Sequence, residues 1–443
     1  MQAAHPKGSR AFEVLWLGQL LSNLGTQASL YGIGLWLLQQ HWRVLDFAAV
    51  AIVVQAARLV VLPLLGRQLG GWPPRLTMLV ANGIGGSVVA GLVGFLLTPG
   101  NQPPVVLLLL ALMVSAAAEA VLVLRFSSLI SRLVPPGRAQ VRAGGLFASA
   151  DGLVLTMAPF LGAWLAGQSG LHGVLVLDGI SFAWAFGCVL LAPWPQALLA
   201  VPKRGEVHGP RRLEQQDLSR SLQFLAPLGA LFRQPSLAAL AWLGMAMALV
   251  YASCEVLFPA WVMAAMGAAR LGQALLVAGL GYGMGVLLWF WSRPLQPLRW
   301  LRFALGVQGL VLIGAGLVVF QRWLVVWWLG ILVFSAALPI ALSALQCLWQ
   351  QEVAAVDQPR RFALRFGLEW MARLMGFGLF AAVVDGVIRP ALGWPFWPDW
   401  LLGGLGIGPG RPMAIGLGLG GWLLLLAGMA QAAVVANRRP RSD

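Results

Sequence analysis

Eight charged side chains stand well inside apolar stretches, away from their ends, and these stretches are long enough to cross a lipid bilayer. A charge in such a stretch is costly unless it meets an opposite charge or a water-filled cavity. Carboxylates held there can take up and release protons, and carboxylate–guanidinium pairs can form and break, so these groups are the candidates for chemistry. They are Arg58, Glu119, Arg125, Asp151, Asp178, Glu255, Glu369 and Arg373.

Sequence spacing indicates which of these charges meet. Arg365, Glu369 and Arg373 are spaced i, i+4 and i+8, which places them on one helix face. Arg125 and Asp151 stand at similar depths of neighbouring stretches, and we expect them to pair. Each pair has two interpretations, static neutralisation of charge or a role in gating and proton coupling.

Three carboxylates remain without an assigned partner. Glu119 lies near the middle of its stretch with no basic residue at its depth there, so we expect it to exchange protons. Glu255 stands in the outer half of the seventh stretch and is a further candidate. Asp178 is expected to be structural.

The first apolar stretch also carries a stripe of uncharged amides. Gln19, Asn23 and Gln27 are spaced i, i+4 and i+8 on one helix face. Amides that faced lipid would be costly, so the stripe is expected to point into the protein. It either lines a binding cavity or holds helices together through hydrogen bonds, and both interpretations stay open.

The elements that position these residues are twelve apolar stretches. A hydrocarbon core about 30 Å thick needs about 20 helical residues to cross it. Without water there, every backbone group must bond within the segment, and these stretches are too long and too uniformly apolar for barrel strands. The sequence predicts an all-α integral membrane protein with twelve transmembrane helices. Their spans are 12–38, 45–66, 76–97, 104–134, 141–166, 171–194, 236–264, 271–292, 301–320, 323–348, 362–388 and 412–436.

The composition excludes several classes of protein. Of the 443 residues, 59% are hydrophobic and 10% are charged, which leaves no room for a sizeable soluble domain. Cys188, Cys254 and Cys347 are far apart in apolar stretches and predict neither a disulfide framework nor a metal site. The sequence carries no phosphate-binding loop and no nucleophile with a base, so we predict no enzyme, no metal and no cofactor.

The basic residues predict the orientation. With the N-terminus inside, the inner segments hold 22 lysines and arginines and the outer segments hold 5. By the positive-inside rule both termini are cytoplasmic, in a plasma (inner) membrane, and the net charge of +15 does not indicate nucleic-acid binding. The stretch 12–38 is too long for a signal-peptide core, so we expect it to be the first span.

Two groups of six stretches flank a charged middle segment. Arg142 and Arg360 precede the fifth and eleventh stretches, and a carboxylate follows each of them nine residues later, Asp151 and Glu369. This echo favours two six-helix repeats. The predicted divisions are an N-terminal bundle 1–194, a cytoplasmic linker 195–235 and a C-terminal bundle 236–443.

Several local motifs resemble the major facilitator superfamily, specifically its twelve-span efflux branch of enterobactin-exporter-like and macrolide-efflux-like proteins. The run Leu15–Gly25 is similar to the LWxGQxxSxxG opening of that branch. Further similar motifs are Leu133–Pro136 with Arg142, Asp178 with Ser181 and Phe182, Trp349 with Gln350, Gln358 with Arg360, Asp385–Pro390, and Gly406–Arg411.

The resemblance implies a fold and an activity. It implies the major facilitator fold, with the first and fourth spans lining a cavity, and a contact between spans two and eleven that would pair Arg58 with Glu369. It implies a secondary active transporter that exports a small amphipathic organic molecule by alternating access, coupled to protons, in the lipid bilayer and as a monomer. A non-transporting assembly or receptor-like protein and a lipid flippase or scramblase are the alternatives.

One departure bears on those alternatives. The superfamily carries an aspartate followed by arginines in the loop between spans two and three, whereas this chain has Gly70 and Gly71 there and keeps Arg75. The resemblance implies that this cluster latches the two halves together. Its loss puts the usual gating in doubt.

Overall fold

The structure is a computed structural model of the whole chain, and every regular element among its described residues is a helix. The described residues are 6–66, 72–98, 103–135, 138–199, 231–292, 296–317, 324–353, 358–393 and 410–436. Two compact units divide the chain. The first comprises Met1–Trp42 with Ala49–Gly209, and the second comprises Arg43–Ala48 with Pro210–Asp443.

The first unit holds the helices up to residue 199, except for Arg43–Ala48, which belong to the second unit. They are α1 (Pro6–His41), α2 (Val44–Gly66), α3 (Pro74–Leu97), α4 (Val105–Leu133), and a continuous run Arg138–Leu191 that Gly170 divides into α5 (138–169) and α6 (171–191). Gly170 adopts a positive φ of 62°, which interrupts the helix and which glycine accepts at little cost. A short helix, Gln196–Leu199, follows.

The second unit holds the remaining helices. They are α7 (Pro235–Met266), α8 (Ala268–Ser292), α9 (Pro297–Leu317), α10 (Leu324–Glu352), α11 (Gln358–Val383) and α12 (Arg411–Ala436). A π-helical turn, Val384–Ile388, and a last helical turn, Arg389–Leu392, extend α11. The backbone N–H of Leu45 belongs to this unit and donates to Asp385 Oδ2 at 2.9 Å.

Ten helical segments of the described chain are long and apolar enough to cross a membrane. They overlap the predicted spans, and the 35-residue segment Met157–Leu191 covers the C-terminal part of the fifth helix and all of the sixth. Helix α1 is not among the ten because Ser22, Asn23, Thr26 and Gln27 lower its mean hydropathy. Most of the predicted linker 195–235 lies outside the described residues.

A seam of glycines brings α1 against α6. An ideal Cβ on Gly18, Gly25 or Gly32 would lie within 2.8 Å of Cys188, Ser181 or Val174, respectively. The glycines recur every seven residues up α1, and their partners recur every seven residues down α6. Small residues at this period let two antiparallel helices approach closely along their length.

Close glycine contacts also order the second unit. An ideal Cβ on Gly376 of α11 would lie 2.3 Å from the carbonyl oxygen of Leu249 on α7. Gly281 and Gly285 of α8 approach the carbonyl oxygens of Leu332 and Ala336 on α10 in the same way. These helices therefore touch backbone to backbone, which fixes their register.

Candidate functional site

A buried ion pair joins α2 and α4 in the first unit. Arg58 Nη2 lies 2.6 Å from Glu119 Oε2, and the two side chains are 27% and 7% exposed. Gln27 on α1 donates from Nε2 to the other carboxylate oxygen, Oε1, at 3.1 Å. The Glu119 carboxylate on α4 thus connects to α2 through the Arg58 guanidinium and to α1 through the Gln27 amide.

This geometry corrects one expectation. Helix α4 carries no basic residue at the depth of Glu119, so this carboxylate was expected to be unpaired, but its partner comes from α2. Within the units Arg58 is paired with Glu119 and Glu369 is paired with Arg365. The bridge from Arg58 to Glu369 that the resemblance implied stays a prediction.

The amide stripe of α1 is satisfied at one end only. Gln27 bonds Glu119, whereas Gln19 Nε2 and Asn23 Oδ1 are buried with no hydrogen-bond partner in the part of the chain that the structure describes. Ser115 on α4 likewise leaves its buried Oγ without a partner. These groups are available to a ligand that brings its own donors and acceptors.

A second polar network lies in the α1–α6 seam and centres on Asp178. This carboxylate is 2% exposed and accepts from Thr26 Oγ1 at 3.0 Å. The Ser181 hydroxyl donates to the Asp178 backbone carbonyl at 2.8 Å, and Ser29 Oγ donates to the carbonyl of Val174 at 3.1 Å. These hydroxyl partners were not predicted, although the i, i+4, i+7 spacing of Ser22, Thr26 and Ser29 indicates a second polar face on α1.

In the second unit, Arg365 is the centre of a buried network. Its Nε lies 2.6 Å from Glu369 Oε1 and its Nη1 lies 2.6 Å from Gln346 Oε1 on α10. The guanidinium also lies over the ring of Trp349, 5.4 Å from its centroid. Gly244 on α7 faces the Glu369 carboxylate, since an ideal Cβ there would lie 2.6 Å from Oε1. Any larger residue at position 244 would therefore displace the Glu369 carboxylate.

A third pair links α11 to α7. Arg373 Nη2 contacts both carboxylate oxygens of Glu255, at 2.7 and 2.9 Å. The Glu255 side chain is 42% exposed, so this pair is much less buried than the other two. The structure thus engages Arg365, Glu369 and Arg373 in neighbouring contacts along one helix, as their spacing predicted.

The remaining predicted pair is tested only in part. Arg125 donates to the backbone carbonyl oxygen of Trp72, which lies just before α3. Asp151 lies in α5, but its side chain is outside the described residues, so its pairing with Arg125 stays a prediction. Gly70 and Gly71 are likewise outside them. No group of histidine, cysteine, aspartate and glutamate suited to a metal ion occurs among the residues that were described.

Long apolar helices with ion pairs between them define a multi-pass integral membrane protein. The chain belongs to the Major Facilitator Superfamily, whose family model matches residues 15–360. No curated protein sequence matches the chain.

Solved structures of transporters share the fold. A mutant of the nucleoside transporter NupG matches with a TM-score of 0.68 at 12% identity, covering 96% of this chain and 99% of that one. The peptide transporter POT, a mutant in complex with alafosfalin, matches at 0.65 and 13% identity, covering 99% and 96%. A bacterial homolog of the human lysosomal transporter Spinster, inward-facing and unoccupied, matches at 0.65 and 16% identity, covering 98% and 96%. At these identities the likeness concerns the fold alone.

Proposed function

We propose that this protein is a secondary active transporter that exports a small amphipathic organic molecule by alternating access, with proton entry as the energy source. The observation that carries the proposal is the Glu119–Arg58 pair, buried at mid-helix and hydrogen-bonded to Gln27. The efflux-type motifs of the sequence support the direction of transport.

The architecture that we propose is two six-helix repeats with both termini in the cytoplasm of a plasma membrane. The internal packing of the units supports it, because the fifth helix of each meets the first through a glycine. Gly162 of α5 approaches the carbonyl of Ala28 on α1, as Gly376 of α11 approaches that of Leu249 on α7. In each unit the third helix also packs against the fourth and the sixth.

Proton coupling would act by competition for Glu119. A proton on this carboxylate removes its attraction to Arg58, so the ion pair and the Gln27 hydrogen bond would rearrange together. A freed guanidinium within a low-dielectric region then needs another anion or water. Entry of one proton down a membrane potential supplies about 2.3 kcal/mol per 100 mV, enough to shift such a balance.

Further protonation sites are proposed in the second unit and in α5. Glu369 is held by Arg365, and Glu255 is held by Arg373 in a more exposed position. Asp151 remains a candidate from its sequence position, nine residues after Arg142. Arg58, Arg125 and Arg373 would gate by exchanging carboxylate partners between states.

The proposed substrate site is the α1 stripe next to this pair. Gln19 and Asn23 present an unpartnered amide nitrogen and an unpartnered amide oxygen, one helical turn apart. A ligand with both a donor and an acceptor would satisfy them, and its apolar part would lie against the aliphatic side chains of the same unit. This is the chemistry of a small amphipathic molecule.

The test is transport in proteoliposomes that hold the purified monomeric protein under an imposed pH gradient. The substrate is first identified by thermal stabilisation across a compound panel. We expect wild-type protein to move it only with the gradient, and Glu119→Gln to lose gradient-driven transport while still exchanging substrate. Glu13→Gln is the control because Glu13 is an exposed carboxylate on α1. Movement that ignores the gradient would reject proton coupling.

A second function is favoured by one observation, the glycines at positions 70 and 71 in place of the family's acidic latch. A protein without that latch fits a non-transporting assembly or receptor role, or a lipid flippase or scramblase. A compound that stabilises the protein but is not transported would favour the assembly or receptor role. Movement of a labelled phospholipid across the proteoliposome membrane would favour a flippase or scramblase.

A further inference from the structure

The first turn of α12 buries a positive charge. Arg411 opens the helix and is only 8% exposed, yet its Nε and Nη2 atoms have no hydrogen-bond partner among the described residues. Its neighbours from Gly410 to Ala414 are all buried as well. A guanidinium stays protonated at physiological pH and offers five N–H donors, so the position holds a permanent charge with unused donors on Nε and Nη2.

No counterion for Arg411 lies among the described residues around α12. Gly410 packs against Trp261 of α7, whose Cδ1 would lie 3.1 Å from an ideal Cβ. Further along α12, Gly416 packs against Val384 in the π-helical turn of α11. The carboxylate of that turn, Asp385, is already bound to Arg389 at 3.0 Å and to the Leu45 N–H at 2.9 Å.

Two features of this position attract the same kind of ligand. Backbone N–H groups in the first turn of a helix lack intrahelical acceptors, and the helix dipole adds positive potential there. A guanidinium binds carboxylate or phosphate oxygens through paired N–H donors. Arg411 is also among the five basic residues on the predicted outer side, where the positive-inside rule disfavours them.

We propose that Arg411 and the first turn of α12 bind an anionic oxygen group, a carboxylate or a phosphate. Its source is either the headgroup of a phospholipid or a soluble anion, such as an acidic group on a transported molecule. The anion would take up the unused guanidinium donors and neutralise the buried charge.

The test measures binding of inorganic phosphate to the purified, delipidated full-length protein by thermal unfolding, against chloride at equal ionic strength. We expect phosphate to raise the melting temperature of the wild type, and Arg411→Gln to bind phosphate about tenfold or more weakly, since charge-assisted hydrogen bonds are lost. Arg411→Lys keeps the charge and should retain part of the effect. Arg270→Gln is the matched control, because Arg270 is an exposed arginine of the same unit near the start of α8.

Two further arms separate the sources. If phosphatidylglycerol nanodiscs abolish the phosphate effect on the wild type, and phosphatidylcholine nanodiscs do not, the occupant is an anionic lipid headgroup. If neither does, the occupant is a soluble anion. Equal phosphate responses of wild type and Arg411→Gln, or no response of the wild type, would overturn the proposal. The assay needs no transported substrate, so such a failure would leave the proposed transport function untouched.

Discussion

Arg58 and Glu119 each lie 14 residues after the first residue of their helix, and their side chains meet at 2.6 Å. In the predicted topology α2 and α4 start on the same side of the membrane. Equal residue counts then give equal depths, about 21 Å along each helix. The ion pair is therefore a match of register between two helices, and it depends on both of them.

We expect Arg58→Gln to lower the free energy of unfolding by about 3 kcal/mol, because it leaves the Glu119 carboxylate buried without its opposite charge. The double variant Arg58→Gln with Glu119→Gln should recover most of this loss, since a neutral amide can still bond Gln27. Denaturant unfolding of the purified proteins in detergent gives the free energy of unfolding of the wild type, of each single variant and of the double variant. A double variant as unstable as the sum of the single variants would contradict a coupled pair.

The exposed pair should behave differently. The Glu255 and Arg373 side chains form the most exposed of the three pairs, and charges in a membrane span are tolerated where water reaches them. We therefore expect their coupling energy in a double-variant cycle to be about 0.2–1 kcal/mol. Added salt should weaken it, because exposed charges are screened. The same unfolding measurement at low and high ionic strength checks this, and a coupling that equals that of Arg58 with Glu119 would show that exposure does not decide the difference.

The sequence predicts the helices well because the bilayer imposes a simple rule on length and polarity. All twelve predicted spans lie largely within helices where the structure describes them, and the spacing of Arg365 and Glu369 anticipates their contact. The sequence also identifies Glu119 and Arg58 as candidates. It misses their pairing, because partners on different helices depend on which helices are neighbours, and hydropathy carries no information on neighbours.

The glycine spacing on α1 indicates the close packing of the α1–α6 seam. Gly18, Gly25 and Gly32 recur with a period of seven, which marks a face made for close approach. The partner helix does not follow from that period alone. Hydroxyl partners such as Thr26 also escape prediction, since a threonine in an apolar helix can satisfy itself by bonding its own backbone.

Asp178 should stabilise the seam without affecting transport. Thr26→Val removes one buried hydrogen bond and should cost about 1 kcal/mol, whereas Asp178→Ala also opens a cavity and should cost about 2 kcal/mol or more. Asp178→Asn keeps the shape and an acceptor oxygen, so it is expected to be close to wild type in stability and in pH dependence of transport. A shift in that pH dependence with Asp178→Asn would instead assign the residue to proton coupling.

Glycines on one helix provide a test of close packing with an internal control. Gly376 and Gly367 both belong to α11, but a Cβ on Gly376 would lie 2.3 Å from the Leu249 carbonyl oxygen, whereas a Cβ on Gly367 would meet nothing within 4 Å. We expect Gly376→Ala to destabilise by about 1–3 kcal/mol, because backbone cannot move aside as a side chain can. Gly367→Ala should stabilise by about 0.5–1 kcal/mol, since alanine favours the helix.

The first unit repeats the comparison. An ideal Cβ on Gly162 of α5 would lie 2.3 Å from the Ala28 carbonyl oxygen, whereas one on Gly167 of the same helix would meet nothing within 4 Å. If the fifth helix of each unit packs on the first by the same device, Gly162→Ala and Gly376→Ala should lose similar stability in denaturant unfolding, and both open-site variants should gain. A loss of stability at only one of Gly162 and Gly376 would show that the two units are not built alike. Equal effects at these two positions and at Gly167 and Gly367 would mean that helix propensity, rather than backbone contact, sets the change in stability.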